Sequence, residues 1–185
     1  MAYSQKVEVV PFAEFVRGLA DNSWDLSIPN SLPHQARLIT DIFLNRAKED
    51  IRIFSNALNS EIYDDPSIVT ALNSFLKDRN GTLKIVLQEG GLLNSKYGRL
   101  KGAFQDSAFI LACLGQKNGC NVSIRLASGD DKYIKANFEV MDSTGFRFCE
   151  DHETGSAVAV FGDVETAEHL ATQFDVIHKR SIEFT

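Results

Sequence analysis

An amine, a carboxamide and a carboxylate stand within eight residues at Lys135, Asn137 and Asp142, and a guanidinium and a second carboxylate follow at Arg147 and Glu150. In an extended chain Lys135 and Asn137 share one face while Phe138 and Val140 take the other, so a polar cleft can form over the first. The residue types limit what that cleft can do. A lysine ammonium, with an ordinary pKa of about 10.4, is protonated at neutral pH and is no nucleophile unless strongly desolvated. A carboxamide has no charge with which to neutralise a phosphate oxygen. The set therefore suits ligand binding, or an internal network in which Lys135 meets Asp142 or Glu150 and Arg147 meets either. Asp151-His152-Glu153 offers an acid–base pair on the following loop, although such a triplet in a polar turn also reads as a plain hairpin connection.

A second candidate is basic. Lys96, Arg99 and Lys101, near Tyr97 and Phe104, could contact single-stranded nucleic acid through charge and stacking. Against it stands a formal net charge of −6, which gives the whole chain no general affinity for phosphates and favours a solvated helix face. Cys113, Cys120 and Cys149 form no C-x-x-C pair, and His34, His152, His169 and His178 form no H-x-x-x-H, so neither a metal nor another cofactor is expected. Gly90-Gly91 lacks the rest of a phosphate-cradling motif. Met1 to Val10 has no cationic segment before an apolar core, and the longest apolar run, Ala108 to Leu114, falls far short of the roughly 20 residues that cross a bilayer. The expectation is a soluble, cytoplasmic protein without membrane contact.

The elements that must position these residues alternate. With 185 residues, 44% hydrophobic and 24% charged, the chain has the makeup of one globular domain. Residues 1–30 read as an N-terminal extension packed on a domain at 31–185, with a β-like run at Val7–Val10 and a helical stretch from Phe12 to Leu19. The spacing of Ala36, Ile39, Ile42, Phe43 and Ala47 predicts a helix at about 33–48, followed by a strand at Ile51–Phe54. Asp65-Pro66 begins a helix that should end near Asn80-Gly81, and Thr82–Leu87 is the next strand. A helix at about 103–116 and a strand at 121–126 repeat the unit. Strands at about 133–141, 145–149 and 157–161 then change to an antiparallel style. Asp163 caps a last helix with Ala167, Leu170, Phe174 and Ile177 buried. The alternation predicts an α/β fold, a mixed sheet flanked by helices.

Residues 135–142 resemble the His-x-Lys-x-x-x-x-Asp motif of the phospholipase D superfamily, with Lys135 at the histidine position, Asn137 at the lysine position and Asp142 at the aspartate position. The order of elements over most of 33–182 resembles one half of that fold. In that family two such motifs meet at one phosphate, one histidine attacking and the other protonating the leaving group, a pair of roles suited to imidazole. Where the family places Gly-Ser, this chain has Cys149-Glu150. The resemblance implies a single-motif, degenerate member: a phospholipase D-like domain acting as a non-catalytic binding or regulatory module, homodimeric, with a protein partner in view and nucleic acid less so. Two alternatives stand beside it, a phosphodiesterase or nuclease with a non-standard site and a single-stranded nucleic-acid-binding protein without catalysis.

Overall fold

The fold is a computed structural model that describes residues 11–88, 93–94, 99–100, 107–116 and 121–183. In chain order its elements are α1 (Phe12–Asp21), β1 (Ile28–Asn30), α2 (Pro33–Arg46), β2 (Asp50–Ser55), α3 (Ser60–Tyr63), α4 (Pro66–Lys77), β3 (Thr82–Leu87), β4 (Leu93–Asn94), β5 (Arg99–Leu100) and α5 (Ala108–Gln116). They continue with β6 (Asn121–Leu126), a 3-10 turn at Gly129–Tyr133, β7 (Asn137–Met141), β8 (Gly145–Cys149), β9 (Ala157–Val160), α6 (Val164–Arg180) and β10 (Ile182–Glu183). Eight strands form one sheet in the order β1-β9-β8-β7-β2-β3-β6-β10. Strands β2, β3 and β6 run parallel, while β7 joins β2 antiparallel and opens a meander through β8 and β9 to β1.

Period-two alternation divides the core into two layers. Ile51, Ile53, Leu83, Ile85 and Ile124 face the helices α1 to α5, burying Ile39, Phe43, Ile68, Leu72, Phe75 and Phe109. Phe54, Val86, Val140, Phe146 and Val160 face α6, whose stripe of Ala167, Leu170, Phe174 and Ile177 is buried as its spacing predicts. Charge fixes α6 as well. The Asp175 carboxylate receives Arg52 at 3.2 Å and Lys84 at 3.1 Å, and Arg125 donates to the carbonyls of His178 and Ser181 at the helix's C-terminal end. His178 Nε2 lies 2.9 Å from Ser123 Oγ, and burial, with Arg125 and Lys84 nearby, holds its imidazole pKa below the usual value.

Several boundaries differ from expectation. The strand expected from 133 begins at Asn137, because Gly129 takes φ 55° and starts a 3-10 turn closed by Asp131 N–H on the Ser128 carbonyl. The helix from Pro66 ends at Lys77, short of Asn80, which itself adopts φ 54°. Arg79 turns back to the carbonyls of Leu44, Asn45 and Ala47, so its charge completes the end of α2 instead of its own helix. Of the helix expected at 103–116, Ala108–Gln116 is observed; 103–106 and the run at Val7–Val10 lie outside the described residues. Two short edge strands, β1 and β10, and the single turn α3 carry no sequence pattern long enough to announce them. Pro29 fits β1 because an edge strand tolerates a missing donor. The loop before β1 crosses the β9–α6 turn so closely that a Cβ on Gly162 would stand 2.1 Å from Ser23 O, which makes glycine necessary there.

Candidate functional site

The motif strand presents its polar face to a recess where β2 ends and β7 begins, the pairing Phe54↔Phe138 setting them side by side. Asn137 lies on that face, and its Oδ1 accepts the Asn56 backbone N–H at 2.7 Å. Lys135 sits two residues before the strand, largely exposed, with Nζ 3.6 Å from Asp151. The loop is drawn in by His152, whose backbone N–H and ring Nδ1 both contact the Lys135 carbonyl, at 3.0 and 2.7 Å. The Glu153 N–H, followed in effect by the Lys135 ammonium and His152, holds the Asp151 carboxyl below the usual carboxylate range.

Asp142 is elsewhere. Five residues beyond Asn137, it lies about 16 Å along the strand direction, at the sheet's other end. There it occupies a tight turn at φ 50° and accepts the backbone N–H groups of Lys48 (2.6 Å), Glu49 (2.9 Å) and Asp50 (2.9 Å). The expected network of Lys135, Asp142, Arg147 and Glu150 is therefore corrected. Lys135 pairs with Asp151, Asp142 caps backbone, Arg147 donates from Nε to Asn30 Oδ1 at 2.8 Å, and Glu150 is exposed with no ion pair among the described residues. Strand pleating explains the separation: a hairpin aligns Glu139, not Asp142 or Glu150, opposite Arg147.

Glu139 is the residue that sequence reasoning missed. It continues the alternation 135, 137, 139 and is 3% exposed. Its carboxylate accepts Tyr63 OH at 2.8 Å and Thr40 Oγ1 at 3.0 Å. Burial pushes its pKa up, while the Arg147 guanidinium and the Tyr63 and Thr40 hydroxyls partly offset that rise. Burial and the neighbouring Glu139 raise the Tyr63 phenol well above its ordinary value. The period-two rule alone could have identified Glu139; its partners, 76 and 99 residues away, left no trace in the sequence.

Phe54, Ser55, Asn59, Tyr63, Asn137, Glu139 and Arg147 are among the walls of the recess, whose volume is about 50 Å³. A groove of about 600 Å³ lies instead at Asp142's end, lined in part by Arg46, Lys48, Phe161 and Val164. Ligand sites usually measure about 300–1,000 Å³, so only the second has room for a drug-sized molecule. Cys149, buried beside the recess, donates to the Asp151 carbonyl, and its thiol is raised by burial. Cys113 is a core thiol pushed up to about 12 by burial. Among the described residues no group of three or more His, Cys, Asp or Glu side chains could hold a metal ion. Nor is any described helix long and apolar enough to cross a membrane. Lys96 and Lys101 lie outside the described residues, and Arg99 is placed only through the backbone of β5.

Solved structures share this architecture. Nuc from Salmonella typhimurium, a phospholipase D family member, is 16% identical, with a TM-score of 0.60 over 86% of this chain and 98% of its own. NucT from Helicobacter pylori is 11% identical, with a TM-score of 0.56 over 86% of this chain and 99% of its own. TrmBL2, an archaeal chromatin protein with a novel mode of DNA binding, is 16% identical, with a TM-score of 0.59 over 92% of this chain but 58% of its own. The fold is phospholipase D-like. No curated protein matches the chain. A family model described as a domain of unknown function, DUF7931, matches residues 32–185.

Proposed function

We propose that this chain, which belongs to the DUF7931 family, is a non-catalytic phospholipase D-like module that binds a partner instead of cleaving a phosphodiester. The observation that carries this reading is the use made of the motif positions. Lys135 replaces the imidazole that would attack, and Asn137 spends its oxygen on a backbone N–H. Beneath them a carboxylate, Glu139, is buried where an anionic substrate would need positive charge. The recess beside Asn137 measures about 50 Å³, well below the roughly 300 Å³ at which ligand pockets usually begin.

The rival reading, a phosphodiesterase with a non-standard site, makes Lys135 indispensable. Incubation with bis(4-nitrophenyl) phosphate and with single-stranded DNA decides between them. Wild-type protein and Lys135→Ala are expected to match the buffer background; turnover that Lys135→Ala abolishes establishes the rival. Weak DNA binding that vanishes with salt and with Lys96, Arg99 and Lys101 removed points instead to the third reading, supported so far only by the fold shared with TrmBL2.

Association into a two-fold dimer belongs to the same proposal, because single-motif members of the superfamily pair their motifs across such an axis and closed two-fold symmetry is the commonest assembly. Light scattering at tens of micromolar protein is expected to give twice the chain mass. A monomer mass throughout removes this part of the proposal.

A further inference from the structure

Five of the ten large hydrophobic side chains exposed among the described residues lie along one edge of the sheet. Trp24 and Leu26 are on the loop that leads into β1, and Leu32 follows that strand, whose middle residue, Pro29, is exposed as well. Pro29 pairs with the exposed Val158 of β9. The backbone of Ser23 and Asp25 packs on Gly162, which brings Trp24 alongside the turn into α6, where Val164 is exposed. Pro29 offers no N–H, and the N–H groups of Ser31 and Leu32 already donate to Gln35 Oε1 at 3.1 and 3.2 Å, so the edge is a poor template for an added strand. Single exposed apolar residues are ordinary, but a strip of them with an aromatic anchor marks a contact surface.

The charge around the strip is of one sign. Neither 18–36 nor 148–178, the two stretches that build this edge, contains a lysine or arginine, whereas Asp25, Glu150, Glu153 and Glu165 are exposed there with no ion pair among the described residues. Of the cations brought here by other elements, Lys135 is matched by Asp151 and Arg46 by Asp21, while Lys48 shares the groove beyond Val164 with Glu49. We propose that this edge docks a partner segment that is apolar on one face and rich in Lys and Arg around it, anchored by side chains instead of a shared ladder. The inference rests on the non-catalytic reading above and deepens it by naming the chemistry of the partner. An acidic rim around an apolar strip steers and holds a cationic amphipathic chain. It disfavours a second copy at this edge, because a two-fold contact would set Asp25, Glu153 and Glu165 against their own charges. Anionic lipid and nucleic acid are repelled by the same carboxylates.

Trp24, 57% exposed and the chain's only tryptophan, reports on its own surface. The test titrates the full chain with a synthetic peptide of about five helical turns, Leu along one face and Lys over the rest, and follows tryptophan emission and acrylamide quenching. The peptide is expected to shift the emission to the blue and to shield Trp24 from acrylamide. Its affinity should fall about tenfold for Val158→Lys and for Asp25→Lys combined with Glu165→Lys, all at exposed positions. A peptide with Glu in place of Lys should give no shift, and one with Ser in place of Leu should bind about tenfold more weakly. No shift with the Leu–Lys peptide overturns the proposal, as does a shift with the Leu–Glu peptide or an affinity unchanged in both variants. Equal binding of the Ser–Lys peptide reduces the contact to charge alone and overturns it too. A blue shift that grows with protein concentration in the absence of peptide assigns the edge to a second copy instead. Hydrolysis of bis(4-nitrophenyl) phosphate overturns the non-catalytic reading and leaves the Trp24 measurement interpretable by itself.

Discussion

Glu139→Ala is expected to lower the unfolding free energy by about 3–5 kcal/mol, because it leaves two core hydroxyls without their acceptor and opens a void. Three losses combine. The Tyr63 and Thr40 hydroxyls lose their acceptor inside the core, Arg147 loses the charge opposite it, and a void opens beside the Tyr63–Phe109 ring pair. Glu139→Gln keeps an acceptor oxygen and the volume, so its cost should stay within about 1–2 kcal/mol. The two variants also differ with pH. Burial raises the folded pKa of Glu139 above that of the unfolded chain, so the folded protein holds the proton more tightly. The contribution of Glu139 is therefore fully present below the ordinary carboxylate range and is lost as pH rises through the raised folded value. Glutamine cannot ionise and should flatten that fall. Urea unfolding of wild type and Glu139→Gln across the acidic and neutral range measures it; parallel curves would mean that the carboxyl titrates without a shift.

Asp142→Ala is the second large effect, with an expected loss of about 2–3 kcal/mol. One carboxylate serves three successive N–H groups at the entrance of β2, and alanine serves none. Water reaches Lys48 and Glu49, which limits the penalty to less than three fully buried donors would cost. The turn adds to it, since Asp142 and Ser143 both have positive φ, tolerated better by Asp or Asn than by alanine. The Asp142→Asn variant retains the turn and one acceptor oxygen, so it should recover about half of the loss in urea midpoint. If alanine and asparagine prove equally harmful, charge alone, not hydrogen bonding or backbone conformation, is the source.

How far the sequence disclosed this arrangement depended on how local the evidence was. Asp65-Pro66 and Asp163 announced their helices because a cap acts on N–H groups two or three residues away. Thr82–Leu87 was bounded by turn residues, and the α6 stripe from Ala167 to Ile177 followed helical spacing over about three turns. The candidate site was readable only in part. Alternation placed Asn137 on the polar face and would have placed Glu139 there too, but ion-pair partners are chosen by strand register and by loops returning from elsewhere. Lys135 found Asp151 across a loop, and Arg147 found Asn30 from an edge strand 117 residues earlier in the chain. Short strands such as β1 take their stability from the neighbouring ladder, not from their own residues, so Ile28–Asn30 carried no pattern of its own.

The β2–β7 pairing is the seam where the parallel and antiparallel halves of the sheet are joined. Asp142 fastens one end of that seam to β2, and Asn137 fastens the other through Asn56. A slip of a single residue would turn Glu139 out of its buried place, bring Phe138 and Val140 to the wrong layer, and break both fasteners together. The strand thus works as an alignment key: side chains at positions that resemble a catalytic motif hold two halves of a sheet in one register.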